Sequence, residues 1–161
     1  MSFWTSPQTS PTRKYRFTFE DPGSNQGVWY WIKSVNKPSY EISTESYQIG
    51  SHILKYPGVL TWNEVQATIV DTGDITRSIM DNLSQMGYDT PNNEQSGIEK
   101  NGHNSIKKVI INQLSDEGNP LETWTLYNVL VTTVEFGDLA YADDDLVELN
   151  LTLTYDYATL E

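Results

Sequence analysis

The end of the chain reads LVELNLTLTYDYATLE (146–161), and its side chains alternate between two kinds. The apolar set is Val147, Leu149, Leu151, Leu153, Tyr155 and Tyr157. The polar, acidic set is Glu148, Asn150, Thr152, Thr154 and Asp156. Because successive side chains of a β-strand point to opposite faces, the alternation predicts one long strand with its apolar face in a core. The other face of that strand is then polar and acidic along its whole length.

Strand patterns of the same kind recur along the rest of the chain. Residues 13–20 and 28–35 flank a turn-rich stretch, DPGSNQG (21–27), and predict a β-hairpin. Further strand patterns cover 38–49, 59–71, 106–114 and 121–136, with a turn at Pro57-Gly58 between the first two. Since no helices of about ten residues separate these strands, as they do in βαβ units, the sheet is predicted to be antiparallel.

One segment has the periodicity of an α-helix. Its apolar stripe is Ile75, Ile79, Leu83 and Met86. Asp74 precedes the stripe and is a residue type that caps helix N-termini, and Gly87 is placed to end the helix in the left-handed conformation. The stripe is most simply explained by packing against a sheet.

The patterns together predict a mainly β fold, an antiparallel sandwich or barrel with one flanking α-helix. Residues 88–105 contain almost nothing apolar and predict a long polar loop, and such loops tend to be functional or ordered by a partner. Residues 1–12 are rich in Ser, Thr and Pro and predict an N-terminal arm. Residues 13–161 are predicted to form a single β domain.

The charge of the chain is uneven and excludes one class of function. The net charge is −12, and residues 109–161 contain no Lys or Arg. Proteins that bind nucleic acid gain affinity when Lys and Arg neutralise phosphates, so this distribution argues against a DNA-gripping surface. A surface that must avoid gripping DNA is compatible with it.

No residue pattern nominates an enzyme, a cofactor site or a metal site. The chain has no Cys, and His52 and His103 do not share a metal-binding spacing. The run Asp143 to Asp145 lacks the calcium-loop pattern and predicts a solvated acidic turn. No apolar run approaches the ~18 residues of a membrane helix, and MSFWTSPQTSPTRKY (1–15) lacks the apolar core of a signal peptide, which predicts a soluble protein made in a cytoplasm.

Three interpretations of the unexplained polar face stay open. Long strands that cover one another incompletely tend to associate with other chains, and symmetric oligomers are the usual result. If polar faces converge on an axis, the assembly is a ring with a hydrophilic, anionic bore. Alternatively, a monomeric sandwich turns this face to water. A carbohydrate-binding sandwich is the third interpretation, with the aromatic residues Trp29, Trp31, Trp62 and Trp124 available to stack on sugars.

The order of elements resembles the tail-tube proteins of contractile-tailed bacteriophages. In the middle of the chain, the Pro57-Gly58 turn is followed by a strand through Trp62 and by the helix that Asp74 opens. In the C-terminal half, DEGNP (116–120) leads into WTLYN (124–128). An acidic linker with Ala140 and Ala142 then precedes the final strand. One departure is Leu83, at a position where relatives often carry Trp.

The resemblance implies a structural role without catalysis. Tail-tube proteins form hexameric rings of orthogonally packed sheets, and the rings stack into the inner tube within the tail sheath. Genome DNA crosses the bore at infection without specific binding, and baseplate and tail-terminator proteins complete the tail. Such a protein is assembled in the host cytoplasm and becomes part of the virion. A tube-like baseplate or tail-completion protein, or a tube of a type VI or extracellular injection system, are the alternatives within this class.

The resemblance also suggests site residues. The candidates for the bore lining are Glu148, Asn150, Thr152, Thr154 and Asp156. The candidates for contacts between rings, taken from the N-terminal arm and the polar loop, are Phe3, Trp4, Tyr88, Asn92, Asn93, Glu94 and Ile98. An acidic, hydroxyl-rich wall offers DNA no ion pairs and repels it, so a sliding polyanion meets few traps.

Overall fold

The computed structural model describes residues 12–22, 27–28, 30–85, 88 and 108–161. The strands within these residues are, in chain order, β1 (Phe17–Asp21), β2 (Gly27–Val28), β3 (Ile32–Val35), β4 (Tyr40–Ile49), β5 (His52–Trp62), β6 (Val65–Val70), β7 (Lys108–Leu114), β8 (Pro120–Tyr127), β9 (Leu130–Glu135), β10 (Glu148–Thr154) and β11 (Tyr157–Leu160). One helix, α1 (Asp74–Gln85), lies between β6 and β7 in the described part of the chain.

The strands form three antiparallel sheets. A five-stranded sheet has the order β11-β8-β7-β1-β2, and a four-stranded sheet has the order β3-β6-β10-β9. The third sheet is the β4-β5 hairpin alone. The mainly β, antiparallel fold that the sequence predicts is therefore confirmed.

The two larger sheets face each other across an apolar core. Phe19, Val109 and Leu126 of the five-stranded sheet cluster with Val65 and Leu153 of the four-stranded sheet, and all are almost fully buried. The alternation of β10 is confirmed here, because every second residue from Leu149 to Leu153 is buried. The strand pattern thus positions one sheet face in the core and leaves the other outside.

Helix α1 flanks the four-stranded sheet and closes a second part of the core. Ile75 is buried and Ile79 packs beside it, against a cluster that includes Leu149 and Leu151. Helix α1 begins at Asp74, the residue predicted to open it, and is preceded by the hydrogen-bonded side chain of Asp71. Its carboxylate accepts hydrogen bonds from the Gly73 backbone N at 2.7 Å and the Thr76 hydroxyl at 2.9 Å. The predicted end of the helix, Met86 and Gly87, lies outside the described residues.

Three segments that the sequence predicts as single strands are each divided between two sheets. Residues 28–35 divide into β2 and β3, 121–136 into β8 and β9, and 146–161 into β10 and β11. Each pair has one strand in the five-stranded sheet and one in the four-stranded sheet. Strands that change sheets at a bend form the corners of orthogonally packed sandwiches. The predictions of single strands were wrong because alternation continues through a corner.

The predicted turn at Pro57-Gly58 is also wrong, since β5 runs through it. Thr44 pairs with Pro57, and the register of the hairpin shifts between Ile42 and Thr44, which marks a bulge. Proline is tolerated at bulges and on edge strands, where its missing N–H leaves no ladder bond unmade. The predicted strand 59–71 instead breaks between β5 and β6.

Two predicted segments fall mainly outside the described residues. Of the N-terminal arm (1–12), only Thr12 is described, and of the polar loop (88–105), only Tyr88. Within the described ranges, no helix is long and apolar enough to cross a membrane.

Candidate functional site: a polar sheet face and an exposed hairpin arm

The outward side of the four-stranded sheet carries polar residues and is called the polar face below. Its members are Lys33, Gln66, Thr68, Thr133, Glu135, Glu148, Asn150, Thr152 and Thr154. The face exists because β6 and β10 alternate, so that burial of Leu151 and its apolar neighbours turns the intervening residues outward. Four of the predicted bore residues, from Glu148 to Thr154, share this face.

The centre of the polar face is a shallow, hydroxyl-rich depression of about 280 Å³. Asn150 lies between Thr68 of β6 and Glu135 of β9, and the Thr68 hydroxyl donates to Asn150 Oδ1 at 3.0 Å. Further along, the Thr154 hydroxyl donates to Thr132 Oγ1 at 3.3 Å. Some side chains of this face therefore hydrogen-bond to a neighbour on the same sheet, and the lining of the depression is polar without a cluster of charges.

The polar face carries few charges, and one ion pair neutralises part of them. Lys33 Nζ donates to Glu148 Oε1 across the sheet. With Glu135 the face has one lysine against two glutamates, so its charge is weakly negative. The face is thus less acidic than the sequence pattern alone indicates. Its character comes mainly from threonine hydroxyls and amide groups.

The fifth predicted bore residue, Asp156, lies between β10 and β11, beyond the end of the polar face. Its carboxylate accepts a hydrogen bond from Asn128 Nδ2 at 2.8 Å, and its backbone N donates to the Tyr127 carbonyl at 3.1 Å. Asn128 has a φ of 53°, a left-handed conformation that asparagine tolerates better than most residues. The structure therefore places Asp156 in the corner where two neighbouring segments change sheets.

The β4-β5 hairpin stands away from the core and is called the arm below. Every residue of β4, and every residue of β5 before Trp62, is exposed. In the outer half of the arm, cross-strand pairing and strand alternation place four large apolar residues on one side. They are Tyr47, Ile49, Leu54 and Tyr56, and they are called the arm's apolar side.

The opposite side of the outer arm is more polar. It carries Thr44, Ser46, Gln48, Ile53, Lys55 and Pro57. A two-stranded hairpin is only marginally stable in water unless something packs on it. Exposed clusters of apolar side chains mark interaction surfaces in soluble proteins. The arm is therefore a candidate for contact with another protein chain.

The residues that the sequence predicts for contacts between rings lie elsewhere in the chain, and none of them belongs to the arm. Phe3, Trp4, Asn92, Asn93, Glu94 and Ile98 lie outside the described residues. Tyr88 is half-buried, and its backbone N donates to the Leu83 carbonyl at 3.3 Å. A signal for the arm was present in the sequence, because large apolar residues occupy both alternation sets of 40–49, which is unusual for a strand with one wet face.

The residues considered for other functions do not come together. Among the described tryptophans, Trp62 and Trp124 pack against the core, whereas Trp31 is exposed, so they form no shared surface for a sugar. His52 lies in the arm, and His103 and Trp29 are outside the described residues. The run Asp143 to Asp145 is exposed. The described residues contain no group of three potential metal ligands.

Comparison by sequence finds no matching protein-family model and no matching curated protein. Comparison by structure finds clear likenesses. A chain in the cryo-EM structure of the sheath/tube terminator of PVC, an extracellular contractile injection system in the extended state, has a TM-score of 0.73 and 18% identity. The match covers 96% of this chain and 99% of that chain.

Two further structures extend the likeness. A chain in the extended sheath-tube complex of the PVC system has a TM-score of 0.68 and 20% identity, over 94% of this chain and 91% of that chain. Hcp1 from Salmonella typhimurium has a TM-score of 0.51 and 11% identity, over 92% and 87% of the two chains. These likenesses confirm the fold that the tail-tube resemblance implied.

Proposed function

We propose that this chain is a structural subunit of the inner tube of a contractile injection device. Copies of it join into stacked, hexameric rings around a conduit, and the role is mechanical instead of catalytic. The fold likeness supports the class of protein. The observation that carries the proposal is the arm, since its apolar side has no counterpart within the described part of the same chain.

The arm explains why association is required. Tyr47 is 61% exposed, Leu54 41% and Tyr56 52% in the single chain. Removing apolar surface from water stabilises by roughly 25 cal/mol per Å², so covering these side chains favours assembly. In a homo-oligomer the chain that covers them is a second copy, and repetition of one contact around an axis closes a ring.

The polar face is proposed as the conduit wall. The Thr68 hydroxyl is hydrogen-bonded to the Asn150 amide oxygen, and Lys33 is held by Glu148. Such a wall offers a passing polyanion no free lysine along this face, so DNA crosses it without the ion pairs that create binding. The same wall suits a device that delivers other cargo.

Within the assembly, neighbouring proteins are the tail sheath on the outside of the tube and baseplate and terminator proteins at its ends. The particle is a phage tail or a related extracellular injection device, assembled in the host cytoplasm. A terminator or other tube-end ring is the second candidate. The observation that favours it is the TM-score for the sheath/tube terminator structure, 0.73, against 0.68 for the sheath-tube complex.

Negative-stain electron microscopy of the purified protein tests the proposal. A tube subunit is expected to give long hollow tubes, and a tube-end protein single rings. Leu54→Asp places a charge on the arm's apolar side and is expected to leave monomers. The matched control is Ser46→Asp, which places the same charge on the opposite side of the arm, facing Lys55, and is expected to assemble.

The outcomes separate cleanly. Monomers of the unaltered protein at high concentration contradict the proposal. Equal assembly of the Leu54→Asp and Ser46→Asp proteins contradicts the role of the arm. Circular dichroism of each variant checks that the fold is retained.

A further inference from the structure

Three consecutive residues, Tyr155 to Tyr157, join three separate parts of the molecule. They connect β10 of the four-stranded sheet to β11 of the five-stranded sheet. Tyr155 contacts the base of the arm, whereas Asp156 and Tyr157 contact the end of β8 and the residue after it, and the three together are called the junction below. The junction suggests how the direction of the arm is fixed.

Tyr155 contacts the base of the arm. Its ring lies 6.0 Å from that of Trp62, and Trp62 in turn meets Tyr40 edge-on at 5.5 Å. Tyr40 and Trp62 are the cross-strand pair at which the arm leaves the body of the protein. Such aromatic pairs contribute about 0.5–1.5 kcal/mol beyond the area that they bury. Since Tyr155 is itself 7% exposed and part of the main core, this stack ties the arm to the core.

The next two residues fix the junction to the end of β8 and to Asn128, the residue that follows it. The Asp156 carboxylate accepts the Asn128 hydrogen bond at the corner of β8 and β9. The Tyr157 ring stacks on Tyr127 at 4.6 Å with an interplanar angle of 17°. A shift of the corner therefore breaks the Asn128 hydrogen bond and the Tyr127 stack.

A second contact at the arm base acts in the same direction. The Asn63 backbone N donates to the Ser39 carbonyl at 2.8 Å, and Asn63 Nδ2 donates to Ser39 Oγ at 3.1 Å. These bonds close the two chain segments that enter and leave the arm. The arm residues further from the body of the protein than Trp62 are exposed, so the contacts at its base determine the direction of the arm.

We propose that Trp62 and Tyr155 are positioning residues for assembly, which hold the arm at a fixed angle to the polar face. The inference rests on the proposed function, because the angle matters only if the arm contacts another copy. With the angle fixed, the arm reaches a neighbouring subunit while the polar face keeps its orientation to the conduit. Trp62 and Tyr155 act through the arm and lie outside its apolar side.

Hydrogen exchange of the monomer tests whether the Trp62 contact holds the arm in place. Leu54→Asp is expected to keep subunits apart, and in this background Trp62→Ala is expected to speed amide exchange in the arm by about tenfold. Exchange in β7 is expected to stay unchanged, which excludes general unfolding. Trp62→Phe keeps an aromatic ring and is expected to restore slow exchange. Unchanged arm exchange in the Trp62→Ala protein overturns the proposal.

Electron microscopy without the Leu54→Asp change tests the consequence. Trp62→Ala is expected to reduce ordered rings and tubes by about tenfold although the arm's apolar side is intact, and Trp62→Phe is expected to rescue them. Ordered assemblies at the unaltered level in the Trp62→Ala protein contradict the proposal. If the unaltered protein itself forms none, the proposed function fails, whereas the exchange result still decides whether the junction holds the arm.

Discussion

The core strands and the arm are built from similar residues but end in opposite environments. In β10, Leu149, Leu151 and Leu153 are buried between two sheets. In the arm, Tyr47 and Leu54 alternate just as regularly and remain exposed. The comparison teaches that alternation identifies a strand and its two faces. Whether a face is covered by the same chain or by another is decided by sheet order and by assembly.

A matched pair of substitutions breaks the comparison most strongly. Leu149→Ala removes a fully buried side chain and is expected to lower the free energy of unfolding by about 2–5 kcal/mol. Leu54→Ala removes the same atoms from the arm and is expected to change it by less than about 0.5 kcal/mol in the monomer. Urea unfolding at a concentration that prevents assembly measures both. Equal losses would show that the arm is covered within the single chain.

The corner between the two regions is expected to contribute less than the core. Asp156→Ala removes the acceptor of the Asn128 hydrogen bond and should cost about 1–2 kcal/mol, since the bond is charge-assisted. Asn128→Gly keeps the left-handed backbone but loses the same bond. Thermal unfolding of both single variants and the double variant gives the coupling. A coupling near zero would show that the hydrogen bond between Asn128 and Asp156 does not stabilise the corner.

Tyr155 links core and arm and gives stability a dependence on alkaline pH. Burial raises the pKa of the Tyr155 hydroxyl, and the nearby Ser39 backbone offsets part of the rise. The hydroxyl and the Ser39 backbone do not meet the geometry of a hydrogen bond. A raised pKa means that the folded protein binds the proton more tightly, so this stability is present below the unfolded value of about 10 and is lost above it.

Tyr155→Phe is therefore expected to remove this alkaline loss of stability while keeping the contact with Trp62. Urea unfolding at neutral and alkaline pH measures the difference between the two proteins. If the unaltered protein and the Tyr155→Phe protein lose equal stability at alkaline pH, the alkaline loss arises from other tyrosines.

The smallest effect is expected at the surface. Lys37 Nζ donates to Glu122 Oε2 at 2.8 Å, and this bond lowers the pKa of the Glu122 carboxyl, although partial burial opposes it. A lowered pKa gives stability above the unfolded value that disappears as the pH falls. Glu122→Gln should cost less than about 1 kcal/mol at neutral pH and nothing in acid, because both groups are exposed. Chemical unfolding at the two pH values measures it.

Much of the fold follows from residue patterns. The alternation of β10 predicts both its buried leucines and four residues of the polar face, and the stripe from Ile75 predicts helix α1. The corners were not predictable by the same rule. Asn128 bends the chain without a glycine or proline, and Tyr155 continues the apolar alternation into the corner.

In the arm, the sequence predicts a turn that the structure does not have, because Pro57-Gly58 is a strong turn signal but lies inside β5. Gly58 is required there for space, since a Cβ at this position would stand 2.4 Å from Ser43 Oγ, which accepts a hydrogen bond from the Val59 backbone N. The dipeptide Pro57-Gly58 therefore reports a bulge instead of a reversal. The sequence around Gly58 shows that a glycine is present, but it does not show that Ser43 of β4 packs against it.

The central claim is that the polar face becomes the inside wall of a conduit, and labelling of single cysteines tests it most directly. The chain has no Cys, so Asn150→Cys and Thr159→Cys each introduce a unique thiol, one on the polar face and one on the five-stranded sheet. In assembled protein, we expect a small maleimide to reach Cys at 150 and a bulky polymer maleimide not to reach it. In dissociated protein both reagents should react there. Equal reaction of the bulky reagent at position 150 before and after assembly would place the polar face on the outer surface and contradict the account.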